Sequence, residues 1–254
     1  MEPLILVTND DSIKSRGIRV LAEVAKQFGQ VWVIAPDSVW SAKSHAVTLE
    51  SPLYYRRYDD FGVDGVEAVA VSGTPADSVK LALHEILPRE PDFIFSGINH
   101  GSNYSINLFY SGTVAAIVEG AFHGIPSVAF SLDSHDPMAD LSLAAEHTKA
   151  IIESFVALED KTDMCLNVNI PNIDKQNSKG IKYCRQARGK WIEEFVERTH
   201  PSSGQKYYWL TGKFINFEPE SQETDVWAVE NGYTSVVPLQ TDLTNYQILE
   251  KLKK

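Results

Sequence analysis

Two adjacent carboxylates, Asp10 and Asp11, follow the apolar run Leu4-Ile5-Leu6-Val7-Thr8 with only Asn9 before them. A run of that length reads as a buried strand, most simply a central parallel one. Within a strand, neighbouring side chains point to opposite faces, so the pair can share a target only in the turn beyond it. Two ionised carboxylates about 4 Å apart repel by roughly 4 kcal/mol at an effective dielectric near 20. A bound cation relieves that repulsion. Two solvated turn residues, or one Asp capping the next helix, account for a lone pair equally well. What decides is which other residues reach the same place.

Three further polar clusters leave apolar runs: the loop with Ser41 after Val31–Ala35, Gly73-Thr74 after Ala68–Ser72, and Asn99 to Asn103 after Phe93-Ile94-Phe95. Ligands of open α/β sheets bind outside the carboxyl ends of the strands, so all four clusters can reach one crevice. Their donors are carboxylate, hydroxyl and amide oxygens, which suit one Mg²⁺ or Mn²⁺ rather than Zn²⁺. Ser111-Gly112-Thr113 opens a helix whose free N–H groups favour a phosphate. Gly97, Gly101 and Gly112 let backbone approach a ligand closely. A divalent cation beside a phosphate cradle points to phosphoryl transfer, most simply hydrolysis by metal-activated water. Each residue alone has a plainer reading: Asn99 as a turn residue, Ser41 facing water, Thr74 as a helix cap. His45 and His100 are the only histidines expected near the crevice, as surface or supporting groups. The basic run Arg185–Lys190 fits a solvated hairpin or interface better than a nucleic-acid patch.

The elements that must carry these clusters alternate. A helix over 17–28 places Ile18, Leu21, Val24, Ala25 and Phe28 on one face, with Gly29 as its stop. The strand Val31–Ala35 follows at once, giving a β-α-β unit with parallel strands and a right-handed crossover. Thr74 as N-cap and Pro75 at the first helical position start a second helix. Further helices run from Ser111 to Gly124 and around Leu141–Leu158, with strands at Ser127–Ser131 and Cys165–Ile170. The class is α/β, a doubly wound, mainly parallel sheet spanning residues 1–171. After Pro171, with Trp191, Trp209 and Trp227 among Tyr residues and Gly-marked turns, residues 172–254 read as hairpins and an oligomer-forming extension.

At 254 residues the chain is long enough for one large domain with an appendage. A net charge of −11 argues against a nucleic-acid backbone or an anionic membrane as partner. Two cysteines are too few for a disulfide framework or a thiolate cluster, and suit a reducing compartment. With no leader-like start and no membrane-length apolar run, the expected location is the cytoplasm.

Taken together, the motifs resemble the SurE family of survival-protein phosphatases. The matching landmarks are Ile5-Leu6-Val7-Thr8-Asn9-Asp10-Asp11, Ala35-Pro36-Asp37 with Ser41, and Gly73-Thr74-Pro75-Ala76-Asp77. They continue with Ser96-Gly97-Ile98-Asn99-x-Gly101-x-Asn103, Ser111-Gly112-Thr113-Val114-Ala115-Ala116 with Glu119-Gly120, Arg185-Gln186, Tyr207-Tyr208-Trp209, and Gly232-Tyr233 to Asp242-Leu243-Thr244. The resemblance implies hydrolysis of nucleoside 5′-monophosphates, with 3′-monophosphates and short polyphosphate as further candidates. It implies one divalent cation per subunit on Asp10, Asp11, Ser41 and Asn99, with Asp10 or Asp11 orienting or deprotonating water. Asn9, Gly97, Asn103, Ser111, Gly112 and Thr113 would surround the phosphate. It also implies a homodimer or homotetramer in which the aromatic hairpin and C-terminal segment exchange between subunits. Ser12 stands where the family usually has Gly, and Ala42 and Ser44 stand in a loop that is often Gly-containing; if Ser12 needs positive φ it is strained by roughly 1 kcal/mol.

Two other classes remain at this point. A phospho-accepting signalling receiver needs an Asp after a middle strand and a Lys after a later one, where this chain has Asn99 and Leu132-Asp133. A non-catalytic nucleotide-binding protein conflicts with nothing in the sequence. A phospho-aspartate route is the internal rival to water attack, but it typically uses Asp-x-Asp rather than an adjacent pair.

Overall fold

The computed structural model describes residues 2–253. Strand β1 (Leu4–Thr8) is buried throughout and lies in the interior of a nine-stranded sheet. Its neighbours are β2 (Gln30–Pro36) on one side and β5 (Phe93–His100) on the other, both parallel to it. Beyond β2 come β4 (Glu67–Val71), parallel, and β3 (Tyr55–Arg57), antiparallel. Beyond β5 come β6 (Ser127–Leu132) and β7 (Cys165–Ile170), again parallel. Among these parallel strands, chain order therefore runs outward in both directions from β1 and β5. That pair is the topological switch point, where a crevice opens at the strand ends.

The period-2 alternation of β1 assigns its side chains to two layers. Ile5 and Val7 join one core with Ile18 and Leu21 of α1 (Arg16–Ala25) and Ile151, Ile152 and Phe155 of α4 (Ser142–Ala157). Leu6 joins a second core with Val79 of α2 (Pro75–Leu81) and Ala116 of α3 (Gly112–Phe122). Helices thus cover both faces, as all-parallel strands buried on both sides require. The start of α2 is fixed locally. Thr74 accepts from the Asp77 N–H at 3.1 Å while Asp77 Oδ2 accepts from the Thr74 N–H at 2.9 Å, a reciprocal cap with Pro75 as the first helical residue.

β5 extends past the apolar Phe93–Phe95 to His100. Its pairing with β6 shifts between Ser96 and Asn99, three steps on β5 against two on β6. Such a bulge bends a strand and re-aims its side chains. Gly97 occupies the bend at φ +127°, and a Cβ there would lie 2.2 Å from the Phe130 carbonyl oxygen.

After Pro171 the chain does not simply leave the core. β11 (Thr234–Pro238) pairs antiparallel with β7, and β8 (Ile181–Tyr183) pairs parallel with β11 at the sheet edge. Between them β9 (Gly189–Thr199) and β10 (Lys206–Asn216) form a separate two-stranded antiparallel arm, followed by α5 (Asp225–Glu230). The chain closes with α6 (Tyr246–Leu252). Among the described residues no helix is long and apolar enough to cross a membrane.

Candidate active site

The turn after β1 is built by Asn9. Fully buried, it donates from Nδ2 to the Ser12 carbonyl and to Ser15 Oγ, both at 2.9 Å, and Ser15 in turn caps α1. The Asn9 side chain therefore holds the turn through its Nδ2. Ser12 takes φ +79°, the left-handed value at which a non-glycine residue carries strain. The turn points Asp10 and Asp11 in different directions. Asp10, only 4% exposed, accepts from Thr113 Oγ1 at 2.5 Å. Asp11 Oδ2 accepts the His100 N–H at 3.0 Å, with His100 Nδ1 at 3.6 Å. Burial pushes the Asp10 carboxyl up to about 6; the Thr113 hydroxyl opposes that shift, and the Asp11 charge adds to it. An acid so placed is stabilised by any nearby cation.

Across the switch point, the bulge brings Asn99 to the same crevice. Its Nδ2 donates to the Gly101 carbonyl at 2.6 Å, which leaves Oδ1 as the free acceptor. Asn103 is fixed from three sides: its N–H donates to Asn169 Oδ1 at 2.7 Å, its Nδ2 to Ser131 Oγ at 2.8 Å, and its carbonyl accepts from Asn167 Nδ2 at 2.8 Å. Ser111 caps α3 by accepting the Val114 N–H at 3.1 Å. Gly112 packs directly on Asp10, whose Cβ would stand 2.8 Å from an added methyl. The loop after β2, with Ser41, is tied to the same place. The Trp40 N–H donates to the Asp10 carbonyl at 2.8 Å and the Ser44 N–H to the Tyr110 carbonyl at 3.0 Å. Farther along, His45 Nε2 and Lys80 Nζ meet the buried Glu119 carboxylate at 2.7 and 2.8 Å. Burial alone would raise Glu119, but these two partners hold it below the usual carboxylate range. Ala42 and Ser44 sit at φ +56° and +54°, so this loop is strained at the very positions where glycine is absent.

Asp10, Ser41, Asn99, Asn103 and Ser111 line one cavity of about 580 Å³. Asp11 directly follows the lining residue Asp10, Gly112 and Thr113 directly follow Ser111, and Gly97 lies two residues before Asn99. His100 and His135 line the cavity and His45 does not, so His45 belongs to the Glu119 cluster and His135 takes the place expected for it. The far wall is the β9–β10 arm, with Trp191, Glu193, Leu210 and Gly212. Its root is bolted to the Ser105 segment by Asp225. This buried carboxylate accepts the Ser105 N–H at 2.9 Å, the Ala187 N–H at 2.9 Å and the Val226 N–H at 2.8 Å. Ser105 Oγ adds a bond to the Ala187 carbonyl at 2.9 Å, and Trp191 Nε1 donates to Asn107 Oδ1 at 2.8 Å.

The family model for "Survival protein SurE" matches residues 5–193. The chain belongs to the SurE family. It is 47% identical to the 5′-nucleotidase SurE of Christiangramia forsetii over 251 residues, 99% of this chain and 96% of that one. Identity to the 5′-nucleotidase SurE of Cytophaga hutchinsonii is 46% over 254 residues, 100% of this chain and 96% of the other. The crystal structure of the SurE protein from Aquifex aeolicus superposes with a TM-score of 0.83 at 38% identity, covering 99% and 98% of the two chains.

Within this SurE fold the donor set fits a hard divalent cation. Asp10, Asp11, Ser41 and Asn99 offer oxygen only, and no cluster of three His, Cys, Asp or Glu competes for a softer ion among the described residues. No Lys or Arg among the described residues lines the cavity. An anionic ligand there has the α3 N-terminus and whatever cation the acids hold as its sources of positive potential. The arm residues and the Asp225 anchor were not legible as site components. Trp191 is prominent in the sequence, but nothing local to it shows which way the arm leans.

Proposed function

We propose that the protein is a metal-dependent phosphatase that hydrolyses nucleoside 5′-monophosphates to nucleoside and phosphate. The observation that carries the reading is a buried acid, Asp10, raised by burial and flanked by neutral oxygen donors, on a cavity lined by no Lys or Arg among the described residues. The SurE relatives named as 5′-nucleotidases, matched over nearly the whole chain, support the same reaction. Asp10, Asp11, Ser41 and Asn99 would hold one Mg²⁺ or Mn²⁺ per subunit. That ion supplies Lewis-acid stabilisation of phosphate oxygens and makes water more acidic when bound.

The chain's own residues do the rest. Ser111, Asn103 and the first turn of α3 orient the phosphate, with helix N–H groups facing the charge that grows on the transferring group. Thr113 keeps Asp10 ionised and fixes its carboxylate. Asp11, steered by the His100 N–H, is the second acid and the candidate to orient water or take its proton. Asn9 and Gly97 contribute by shaping the turn and the bulge. The same site extends to 3′-monophosphates and short polyphosphate as further substrates.

Residues 172–254 serve as an assembly element of a homodimer or homotetramer, with the arm and α6 exchanging between subunits. Exposed Trp209, Leu210, Leu243 and Leu252 support this, since solvent-facing apolar groups of that size favour a protein partner. We place the enzyme in the cytoplasm.

Phosphate release from a panel of nucleoside 5′- and 3′-monophosphates with Mg²⁺, Mn²⁺ or EDTA tests the reading, alongside Asp10→Asn. Turnover that needs the metal and falls at least ~10²-fold in the variant, about 2.7 kcal/mol of barrier, is the expected result. Wild-type turnover that survives EDTA overturns it.

A further inference from the structure

The face of the arm that closes the cavity carries an acid that phosphate chemistry does not require. In the β9–β10 register Trp191 pairs with Phe214, Glu193 with Gly212, and Phe195 with Leu210. These pairs alternate with the others, so Trp191, Glu193, Leu210 and Gly212 share one face, and all four line the cavity that also holds Asp10 and Asn99. Trp191 is held in place by its bond to Asn107 and packs edge-on against Phe214, with ring centroids 6.0 Å apart. Together with Leu210 and Tyr110 it gives the cavity aromatic and apolar side chains on which a nucleobase can pack. Gly212, opposite Glu193, leaves the space beside the carboxylate free of a side chain. Glu193 forms no salt bridge and no side-chain hydrogen bond among the described residues. An unpaired carboxylate on the wall of a cavity for an anionic substrate opposes binding, unless the far end of that substrate presents donors to it.

Resting on the nucleotidase reading, we infer that Glu193 is a specificity-determining residue that reads the guanine edge of a nucleoside monophosphate. An ionised carboxylate is an acceptor at both oxygens. The Watson–Crick edge of guanine offers N1–H and N2–H side by side, two parallel donors that match it. Hypoxanthine keeps only the first. Adenine places an acceptor, N1, beside its N6 donor and so repels the second oxygen. A glutamine has one acceptor and one donor, the complement of adenine. Sites that hydrogen-bond a particular ligand group discriminate strongly against analogues that lack it.

The test measures kcat/KM for 5′-GMP, 5′-IMP and 5′-AMP in the wild type and in Glu193→Gln. Taking ratios within each protein cancels any general loss. The wild type should favour GMP over AMP by at least about tenfold, with IMP between, and E193Q should bring the ratio to unity or reverse it. A flat wild-type preference, or a GMP/AMP ratio unmoved by the substitution, overturns the inference while leaving the phosphatase reading intact. Guanosine and adenosine binding by calorimetry separates the two readings in the other direction. Tighter guanosine binding that E193Q reverses sustains the base assignment even if no monophosphate is hydrolysed; equal binding of the two nucleosides by the wild type removes it.

Discussion

Replacing Thr113 with Val removes the hydroxyl that donates to Asp10 at 2.5 Å and keeps the side-chain volume. A hydrogen bond to a charged group contributes about 1.5–3 kcal/mol, and 1.4 kcal/mol corresponds to about one pKa unit. The Asp10 carboxyl, already pushed up to about 6 by burial, therefore rises by a further 1–2 units or so. Its folded value lies above that of the unfolded chain, so its protonated form is favoured by folding. The resulting stability is present at low pH and lost as pH rises through the folded value. In the cation-free wild type that loss falls between about pH 4 and 6, and in the variant it extends to about pH 8. Cation binding needs the ionised acid and follows the same proton. Mg²⁺ affinity, measured by calorimetry in Thr113→Val, should be weaker by about fivefold to fiftyfold at pH 6 and by less than about twofold at pH 9. A deficit of equal size at both ends of the range refutes the electrostatic reasoning and assigns Thr113 to shape alone. No deficit at either end refutes the bond's importance.

Gly112→Ala places a methyl 2.8 Å from Asp10 Cβ and 3.0 Å from its Oδ2, so Asp10 must move. Stability should drop by about 1–3 kcal/mol in denaturant titration, and kcat/KM by roughly tenfold or more. Ala42→Gly works in the opposite sense: at φ +56° it relieves left-handed strain, which outweighs the extra freedom glycine has in the unfolded chain. The melting temperature should rise by about 1–3 °C, and a fall would show that the Ala42 methyl makes a contact worth more than the strain.

How much of this was legible follows from how local each signal is. The strand Cys165–Ile170 and the Thr74–Pro75 helix start appear where the sequence puts them, because an apolar run and a cap depend only on neighbours a few residues away. Three of the four clusters, those of Asp10, Ser41 and Asn99, meet on one cavity because strand order obeys a general rule of parallel sheets; Gly73-Thr74 is not on its lining, and Thr74 caps α2. β5 was readable only to Phe95. Its remainder is small and polar, and it counts as strand because β6 pairs with it across a bulge. The residue types of the proposed metal set were visible, but the division of labour was not. Asn9 turns inward to Ser12 and Ser15, while Thr113 serves Asp10, and each choice depends on a partner that folding supplies. The conditional strain at Ser12 is met at φ +79°, and Ala42 and Ser44 share it. The arm's lean over the cavity was beyond reach, since its anchor Asp225 binds Ser105 across 120 positions of sequence.

That anchor has a mechanical consequence. Asp225, Ser105, Ala187, Trp191 and Asn107 form a short chain of bonds whose members come from the arm root, the segment 105–107 and α5. Such a knot has no compliant joint: bending the arm by a few degrees must drag the Ser105 segment or break buried bonds at about 1–3 kcal/mol each. The arm behaves as a stiff lever whose short end lies beside Asn103 and whose long end carries Tyr207 and Tyr208 out into solvent. Whatever grips the long end thereby also sets the width of the crevice at the short one.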